Sequence, residues 1–217
     1  MGSLFPTTPQ EWAGRVMGVI VLILSLTVHE WAHAFSAFRL GDDTAEREGR
    51  LTLNPMSHID PIGTLLFPML GLPLGWARPV PFNPARFRRG VSMAWGTMIT
   101  KAAGPLSNLL LVSLGAAALV LLFPGRGGHQ AAFELARQVL LMNVGLAVFN
   151  LLPVHPLDGA GVLEPFIPRS LRGAWESYLR AGPILLMLVL VTGGVFLSGP
   201  IGSLSNALVQ LAVRVFA

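Results

Sequence analysis

The feature of this chain that most constrains its fold is a series of long apolar segments. Residues 12–38, 91–123 and 131–152 are each long and apolar enough for a membrane-spanning helix, which needs about 20 residues. Two shorter apolar segments, 183–197 and 201–216, are separated by a Ser-Gly-Pro sequence and predict a helical hairpin. We therefore expect an all-α, multi-pass membrane protein with about five to six transmembrane helices.

The composition supports this interpretation. Hydrophobic residues make up 53% of the chain and charged residues only 12%, about half the charged fraction of a soluble protein. This excludes a disordered protein, a cytosolic enzyme and a nucleic-acid binder of ordinary design. The absence of Cys excludes a disulfide framework, a thiolate zinc site and a Cys nucleophile. We expect a single membrane domain over residues 1–217, with its core at 12–160 and a C-terminal helical hairpin at 181–217.

A shorter apolar segment at residues 62–74 predicts a re-entrant or buried element. At about 1.5 Å per residue it reaches about 20 Å, which is short of the roughly 30 Å of a bilayer core. The loops around it are rich in arginine, and so is the loop that follows residue 152; these arginines are Arg39, Arg47, Arg50, Arg78, Arg86, Arg88, Arg89, Arg169, Arg172 and Arg180. The positive-inside bias places both loops in the cytoplasm, which requires that residues 62–74 do not cross the membrane.

The first apolar segment contains the sequence H-E-x-x-H, formed by His29, Glu30 and His33. Residues four apart share one face of a helix, so the two imidazoles can bind a single zinc ion. Glu30 lies next to them and is predicted to take a proton from the attacking water and hand it to the leaving amine. Ionisable groups in an apolar helix cost about 2.5–3.5 kcal/mol each, so a functional origin is favoured over chance.

The third zinc ligand must come from another segment. The carboxylates that could reach membrane depth are Asp60, Glu134 and Asp158. Two prolines break the helix before Asp158, and Gly159 permits a tight turn after it, so Asp158 is presented on irregular backbone near the depth of His33. Irregular backbone at that depth survives only inside protein or beside a water-filled cavity. Asp158 is therefore favoured, and Asp60 remains the alternative.

Three short sequences occur along the chain in a characteristic order. Together they resemble the site-2 protease family of intramembrane zinc metalloproteases, in its compact bacterial form without a PDZ domain. The resemblance covers residues 12 to about 160, and residues 49–61 also resemble a segment of the compact subgroup. The three sequences are His29-Glu30-x-x-His33, Gly104-Pro105-x-x-Asn108 and Asn150-x-x-Pro153-x-x-Pro156-x-Asp158-Gly159.

The resemblance implies a role for each matched residue. His29, His33 and Asp158 would bind one Zn²⁺ per chain, and Glu30 would be the catalytic acid and base. Asn150 would position the substrate or polarise the carbonyl of the bond to be cut.

Several polar residues keep two interpretations each. Asn108 either joins neighbouring helices or supports the active site. His58 is either a spare ligand or proton carrier, or a capping or interfacial histidine. His155 departs from the apolar residue or proline that is commoner there in the family, and its role stays open. Lys101 is expected to extend its amine towards the membrane surface.

The resemblance also implies an activity and a location. We expect hydrolysis of peptide bonds within or near transmembrane segments, in regulated intramembrane proteolysis of an anchored regulator such as an anti-sigma factor. The partners would be this substrate and the lipid bilayer, with no nucleic acid. The protein would lie in the bacterial cell membrane, with its active site towards the cytoplasm. The alternatives are a catalytically silent zinc-binding protein, which the intact Glu30 opposes, and a zinc transporter, which would need further intramembrane His or Asp residues.

One segment after the first helix predicts β structure. Polar and apolar residues alternate there between a glycine and a proline, which is the pattern of a short strand or small hairpin near the active site. The free edge of this strand is predicted to accept the unwound substrate as an added strand, although a purely structural hairpin is the alternative. The residues concerned are Arg50, Leu51, Thr52, Leu53 and Asn54.

Overall fold

The fold is given by a computed structural model that describes residues 6–71, 75–123, 129–196 and 198–214. The ends of two predicted elements, residues 72–74 of the re-entrant segment and residues 197 and 215–217 of the C-terminal hairpin, lie outside the described residues. The described ranges are helical or irregular and contain no strand. Their α-helices are α1 (Pro9–Arg39), α2 (Thr44–Arg47), α3 (Phe67–Met69), α4 (Met93–Leu121), α5 (Gln130–Asn150), α6 (Asp158–Leu163), α7 (Arg172–Phe196) and α8 (Ser198–Arg214).

Three of the described helices are long and apolar enough to cross a membrane. They are α1 with 31 residues, α4 with 29 and α5 with 21. The prediction of a helical protein with helices capable of spanning a membrane is therefore confirmed for the described residues. The total of five to six spans stays a prediction. The predicted C-terminal hairpin corresponds in the described residues to α7 and α8, of which α8 contacts α4, α5 and α7.

The start of α1 is fixed by local sequence. The Thr8 side chain accepts a hydrogen bond from the Glu11 backbone at 3.2 Å, and the Glu11 carboxylate accepts one from the Thr8 backbone at 3.3 Å. Pro9 follows as the first helical residue, where its missing N–H costs nothing. This reciprocal cap stabilises the first turn of the helix that carries His29 and His33.

Helix α4 lies at the centre of the fold and packs against α1, α5, α6 and α8. Gly115 lets it approach α5 closely, because an added Cβ would lie 3.1 Å from the Leu140 backbone nitrogen. The buried apolar cluster between α4 and α5 consists of Val112, Leu119, Ala136, Leu140 and Val144, and the residues of α8 that pack against it are Ile201, Leu208 and Val209. These contacts fix α4 relative to α5, so both helices present fixed faces to α1.

The predicted re-entrant segment enters the fold and returns. It forms a π-helix, Pro61–Leu66, followed by α3 and a turn at Gly71, whose φ is +76°. On the return, the backbone N–H of Trp76 donates a hydrogen bond to the Gly63 carbonyl at 3.3 Å. The Trp76 ring lies directly against Gly63, where no side chain would fit. Trp76 therefore lies beside the start of the π-helix, as expected for an element that does not cross the membrane.

The strand predicted for residues 50–54 is wrong. This segment forms a bend, because its polar groups turn inwards to hydrogen-bond instead of pairing with a second strand. The buried Arg50 side chain donates to the Arg78 carbonyl at 2.6 Å, and His58 Nε2 lies 2.8 Å from the Thr52 carbonyl. Burial lowers the pKa of His58, which the Thr52 carbonyl opposes. In this structure His58 therefore holds the bend in place.

Candidate metal centre

Three ligand-type side chains meet at the end of α1 that faces the arginine-rich loops. His29 and His33 lie one turn apart on α1, and Asp158 is the first residue of α6. Asp158 Oδ2 lies 3.1 Å from His29 Nε2 and 3.2 Å from His33 Nε2, and the two Nε2 atoms are 3.0 Å apart. All three side chains are buried, with at most 6% of each residue exposed. The predicted ligand set is thus brought together as one compact triangle.

A hydrogen bond at His33 Nδ1 determines which ring nitrogen offers its lone pair to the centre of the triangle. His33 Nδ1 lies 2.6 Å from the Thr100 carbonyl of α4. A carbonyl can only accept, so Nδ1 carries the proton and the neutral imidazole presents the lone pair of Nε2 to Asp158. Pro105 lacks the N–H that would bond the carbonyl of Lys101, so α4 has one backbone hydrogen bond fewer next to Thr100.

The orientation of His29 is set by a buried chain of side-chain amides. The Val139 carbonyl accepts from Asn143 Nδ2 at 2.8 Å, so the Asn143 Oδ1 atom faces Asn108 and accepts from its Nδ2 at 2.7 Å. Asn108 Oδ1 then faces His29 Nδ1 at 2.6 Å and requires a proton there. Asn143 also donates to Ser25 Oγ at 2.9 Å. The chain ties α5, α4 and α1 together and leaves the His29 Nε2 lone pair pointing at Asp158.

These donors fit a zinc ion. With both Nε2 atoms unprotonated, no described residue donates a hydrogen bond to Asp158 Oδ2, which is buried. Three lone pairs therefore converge within about 3 Å, an arrangement that a cation between them would stabilise. Tetrahedral zinc with ligands at about 2.0–2.2 Å separates its ligand atoms by roughly 3.3 Å, which is close to the observed triangle. Two imidazoles and one carboxylate also match the ligand types of catalytic zinc sites.

Gly104 allows α4 to come close enough to support both imidazoles. A Cβ added at Gly104 would overlap the His33 ring and would lie 2.6 Å from His29 Cε1. Only glycine fits this contact. In the Gly-Pro pair of α4, the glycine therefore gives the helix access to both histidines, and the proline removes the hydrogen bond to the Lys101 carbonyl.

Asp158 is held by contacts on its other side. Its Oδ1 atom lies 3.1 Å from Lys101 Nζ, so the lysine binds the carboxylate and does not extend to the membrane surface as predicted. Gly161 allows the lysine stem to pass, because an added Cβ would lie 2.7 Å from Lys101 Cγ. A Cβ at Gly159 would overlap the carbonyl of Leu151. The turn before α6 therefore requires glycine directly after the acid.

Glu30 lies beside the triangle and has its own partner. The residue is 8% exposed, and its Oε2 atom accepts a hydrogen bond from the Val80 backbone at 2.8 Å. Val80 stands between Pro79 and Pro81, which have no N–H, so it supplies the one backbone donor of this three-residue stretch. The carboxylate is thereby oriented by a segment fifty residues further along the chain.

The segment that carries Val80 is itself fixed by long-range contacts. The Arg78 N–H donates to the His58 carbonyl at 2.9 Å, and its own carbonyl accepts from the Arg50 side chain. The Asn83 N–H donates to Asp42 Oδ2 at 2.5 Å. Both sides of Val80 are thus anchored to the residues that follow α1.

The relatives of the chain carry names that agree with this chemistry. It is 41% identical over 179 residues to "Putative zinc metalloprotease YwhC" of Bacillus subtilis, with 80% of each chain covered. This chain belongs to the site-2 protease family. It is also 32% identical over 189 residues to "Putative zinc metalloprotease Rip2" of Mycolicibacterium smegmatis, which covers 81% of this chain and 69% of that protein. A protein of the same name from Mycobacterium tuberculosis is 33% identical over 184 residues, or 84% and 70% of the two chains. No family model and no solved structure matches the chain.

The remaining residues predicted from the site-2 protease signatures or from their depth lie in different surroundings. Asn150 donates to the Leu146 carbonyl of its own helix at 3.0 Å and makes no hydrogen bond to the three ligand-type side chains. Asp60 caps the π-helix, where its Oδ1 accepts from two backbone N–H groups at 2.7 and 3.0 Å. Glu134 pairs with Arg137 at 2.9 Å. The structure therefore brings Asp158 to the histidines and leaves Asp60 and Glu134 elsewhere.

Sequence reasoning missed two supporting residues in this member of the site-2 protease family. Asn143 could have been found by the argument applied to Asn108, because an amide in an apolar helix needs a partner inside the protein. Val80 acts through its backbone, and the only signal was its position between two prolines. Asn108 contacts two neighbouring helices at once, since it bonds His29 of α1 and Asn143 of α5.

Proposed function

We propose that this protein is an intramembrane zinc metalloendopeptidase that cuts peptide bonds within or near the transmembrane segments of its substrates. The observation that supports this most directly is the position of the triangle of His29, His33 and Asp158. Two of its three members lie on α1, which is long and apolar enough to cross a membrane. Such a site serves a substrate that is itself in the membrane, because a soluble peptide would have to enter the apolar layer to reach it.

In this proposal the ligand and base roles follow from the contacts. His29, His33 and Asp158 would hold one zinc ion per chain, which when bound would supply Lewis acidity to polarise the scissile carbonyl and make water more acidic. Glu30 accepts the proton of the attacking water and returns it to the leaving amine. Because Val80 holds the Oε2 atom, Oε1 is the carboxylate oxygen that takes the proton.

Asn150 is proposed to contact the substrate carbonyl. It ends α5, and its side-chain amide bonds a carbonyl of the same helix. The Asn150 side chain can exchange this hydrogen bond for one to the substrate carbonyl at little cost. The Leu146 carbonyl would still have its backbone hydrogen bond within α5. Developing negative charge on the scissile oxygen would favour that exchange during the reaction.

The depth of the site supports an orientation. His33 lies six residues before the end of α1, and Thr100, which bonds it, lies eight residues after Ser92, the cap of α4. At about 1.5 Å per residue, the site is roughly 9–12 Å from the helix ends that carry the arginine-rich loops. The positive-inside bias makes this the cytoplasmic side. In a bacterial cell membrane, an anchored regulator such as an anti-sigma factor would be a substrate of regulated proteolysis.

The experiment that tests the proposal is mapping of the cleaved bond. Purified protein and a single-span helical substrate are reconstituted in proteoliposomes, and the products are identified by mass spectrometry. Products cut within or at the edge of the span, absent with His33→Ala protein, support intramembrane proteolysis. Products cut only in extended flanking segments, or cleavage by the His33→Ala protein, would contradict it.

A further inference from the structure

We propose that a cavity beside Asp158 binds one large, uncharged side chain of the substrate, next to the bond that is cut. The cavity has a volume of about 210 Å³ and lies between α4, the turn before α6, α6 and α7. This inference rests on the proposed protease function. It adds to that function a preference for one type of substrate residue.

The cavity adjoins the ligand triangle. On α4 it is lined by Thr97 and Lys101, which lie four residues apart on one helix face. Lys101 also binds Asp158 Oδ1, while Asp158 Oδ2 faces the imidazoles. Leu157 directly precedes Asp158, and Ala160 follows two residues later. The cavity therefore begins one side chain away from the centre at which the scissile carbonyl must lie.

Peptide geometry connects the ligand triangle with the cavity. Consecutive Cα atoms are about 3.8 Å apart, so the residues that flank a scissile bond have their side chains within a few ångströms of the reacting carbonyl. When the carbonyl of a substrate approaches the triangle, these side chains must lie against the protein surface around the triangle. Lys101 and Leu157, which adjoin Asp158, also line the cavity.

The lining favours an uncharged side chain. Pro156, Leu157, Trp175 and Leu179 contribute apolar surface. Both charged residues of the lining have ionic partners of their own. These are Lys101 with Asp158 at 3.1 Å, and Glu164 with Arg172 at 3.8 Å.

The size favours a large side chain. The cavity corresponds to about seven water molecules at roughly 30 Å³ each, which is ample for Leu, Met or Phe and far too large for Ala. A substrate side chain that comes from lipid leaves one apolar environment for another, so selectivity must come from packing and not from the hydrophobic effect. We therefore expect a preference of about tenfold, at the lower end of the range for hydrophobic pockets in enzymes.

The test varies both the cavity and the substrate. Thr97→Phe narrows the cavity and Leu179→Ala widens it. Ile99→Phe is the matched control, because Ile99 lies on the same helix but is 44% exposed and does not line the cavity. Helical substrates carry Ala, Leu, Phe or Lys at each position flanking the cut, and kcat/KM is measured in detergent micelles.

At one flanking position, the unmodified protein and Ile99→Phe should cleave Leu and Phe substrates about tenfold better than Ala. Thr97→Phe should lower that ratio to about one or below, and Leu179→Ala should shift the preference from Leu to Phe. Equal cleavage of Ala, Leu and Phe at both positions would overturn the inference, and so would a preference that neither variant changes. Both results would leave the proposed protease function intact, because cleavage itself is retained.

A second readout does not depend on turnover. A photo-crosslinking phenylalanine at the preferred position is offered to Glu30→Gln protein, and the attached peptide is located by mass spectrometry. Crosslinks to α7 around Leu179 or to α4 around Thr97 support the inference. Crosslinks only to lipid, or only to surfaces outside the cavity, would overturn it.

Discussion

The candidate site has two halves that are held differently. The ligand half is the triangle, in which His29 and His33 take their spacing from α1 and their orientation from α4, and Asp158 begins α6. The loop half is the Glu30 carboxylate, which lies on α1 but is oriented by an irregular segment between two prolines. The predicted metal ligands therefore depend on helix packing, whereas the proposed base depends on loop contacts. Zinc binding and the orientation of Glu30 should be separable by mutation.

The largest expected effect is loss of metal when any corner of the triangle is removed. His29→Ala, His33→Ala or Asp158→Ala should each lower zinc affinity by more than about 100-fold, beyond the effect of removing an outer partner. Asp60→Ala is the control and should bind zinc normally, because Asp60 caps the π-helix. Zinc content per chain after competition with a chelator measures this. Zinc loss in Asp60→Ala together with retention in Asp158→Ala would show that the third ligand is misassigned.

The next largest effect tests the close approach of α4. Gly104→Ala should place a methyl group on both imidazoles, and strain of about 3 kcal/mol would lower zinc affinity about 100-fold. Gly145→Ala is the matched control on α5, because a Cβ there meets nothing within 4 Å. Chelator titration of both variants provides the measurement. Normal zinc affinity in Gly104→Ala would mean that the helix contact does not support the histidines.

A smaller effect tests the buried amide chain. Asn143→Leu removes the donor and acceptor that orient Asn108, so the His29 ring loses its fixed tautomer, and zinc affinity should fall about tenfold. Asn206→Leu, at an exposed position of α8, is the control. Retained zinc affinity in Asn143→Leu would confine the role of Asn143 to helix packing.

The smallest effect on the metal is expected from the loop half. Val80→Pro removes the N–H that donates to Glu30, so zinc content should stay unchanged while kcat falls about tenfold, the scale of a hydrogen bond to a charged group. Val80→Ala keeps the N–H and should retain most of the activity. A loss of zinc in Val80→Pro would show that the two halves are not independent.

The residues of the candidate site are easier to predict from the sequence than the residues that hold them in place, and the reason is physical. The spacing of His29 and His33 is a local property of one helix, so it could be predicted without knowing the fold. The position of Asp158 required only a helix break at the depth of His33. The contacts of Asn143 and Val80 join segments that are 35 and 50 residues from their partners, and no local pattern encodes them.

The incorrect strand has a related cause. Alternation of polar and apolar residues at 50–54 indicates that successive side chains face opposite ways, which a strand and an irregular bend both permit. The bend is favoured because Arg50 and His58 find backbone carbonyls within the same loop region. Substrate docking on a strand edge at this segment is therefore not supported.

The most direct test of the central claim compares cleavage and zinc content in Glu30→Gln and Glu134→Gln proteins. Both variants replace a glutamate by its amide, but Glu134 pairs with Arg137 away from the triangle. We predict about one zinc per chain in both, normal cleavage by Glu134→Gln, and a loss of about a thousandfold in Glu30→Gln, within the typical contribution of a general acid and base. Cleavage of a helical substrate by Glu30→Gln at a rate near that of the unmodified protein would contradict it.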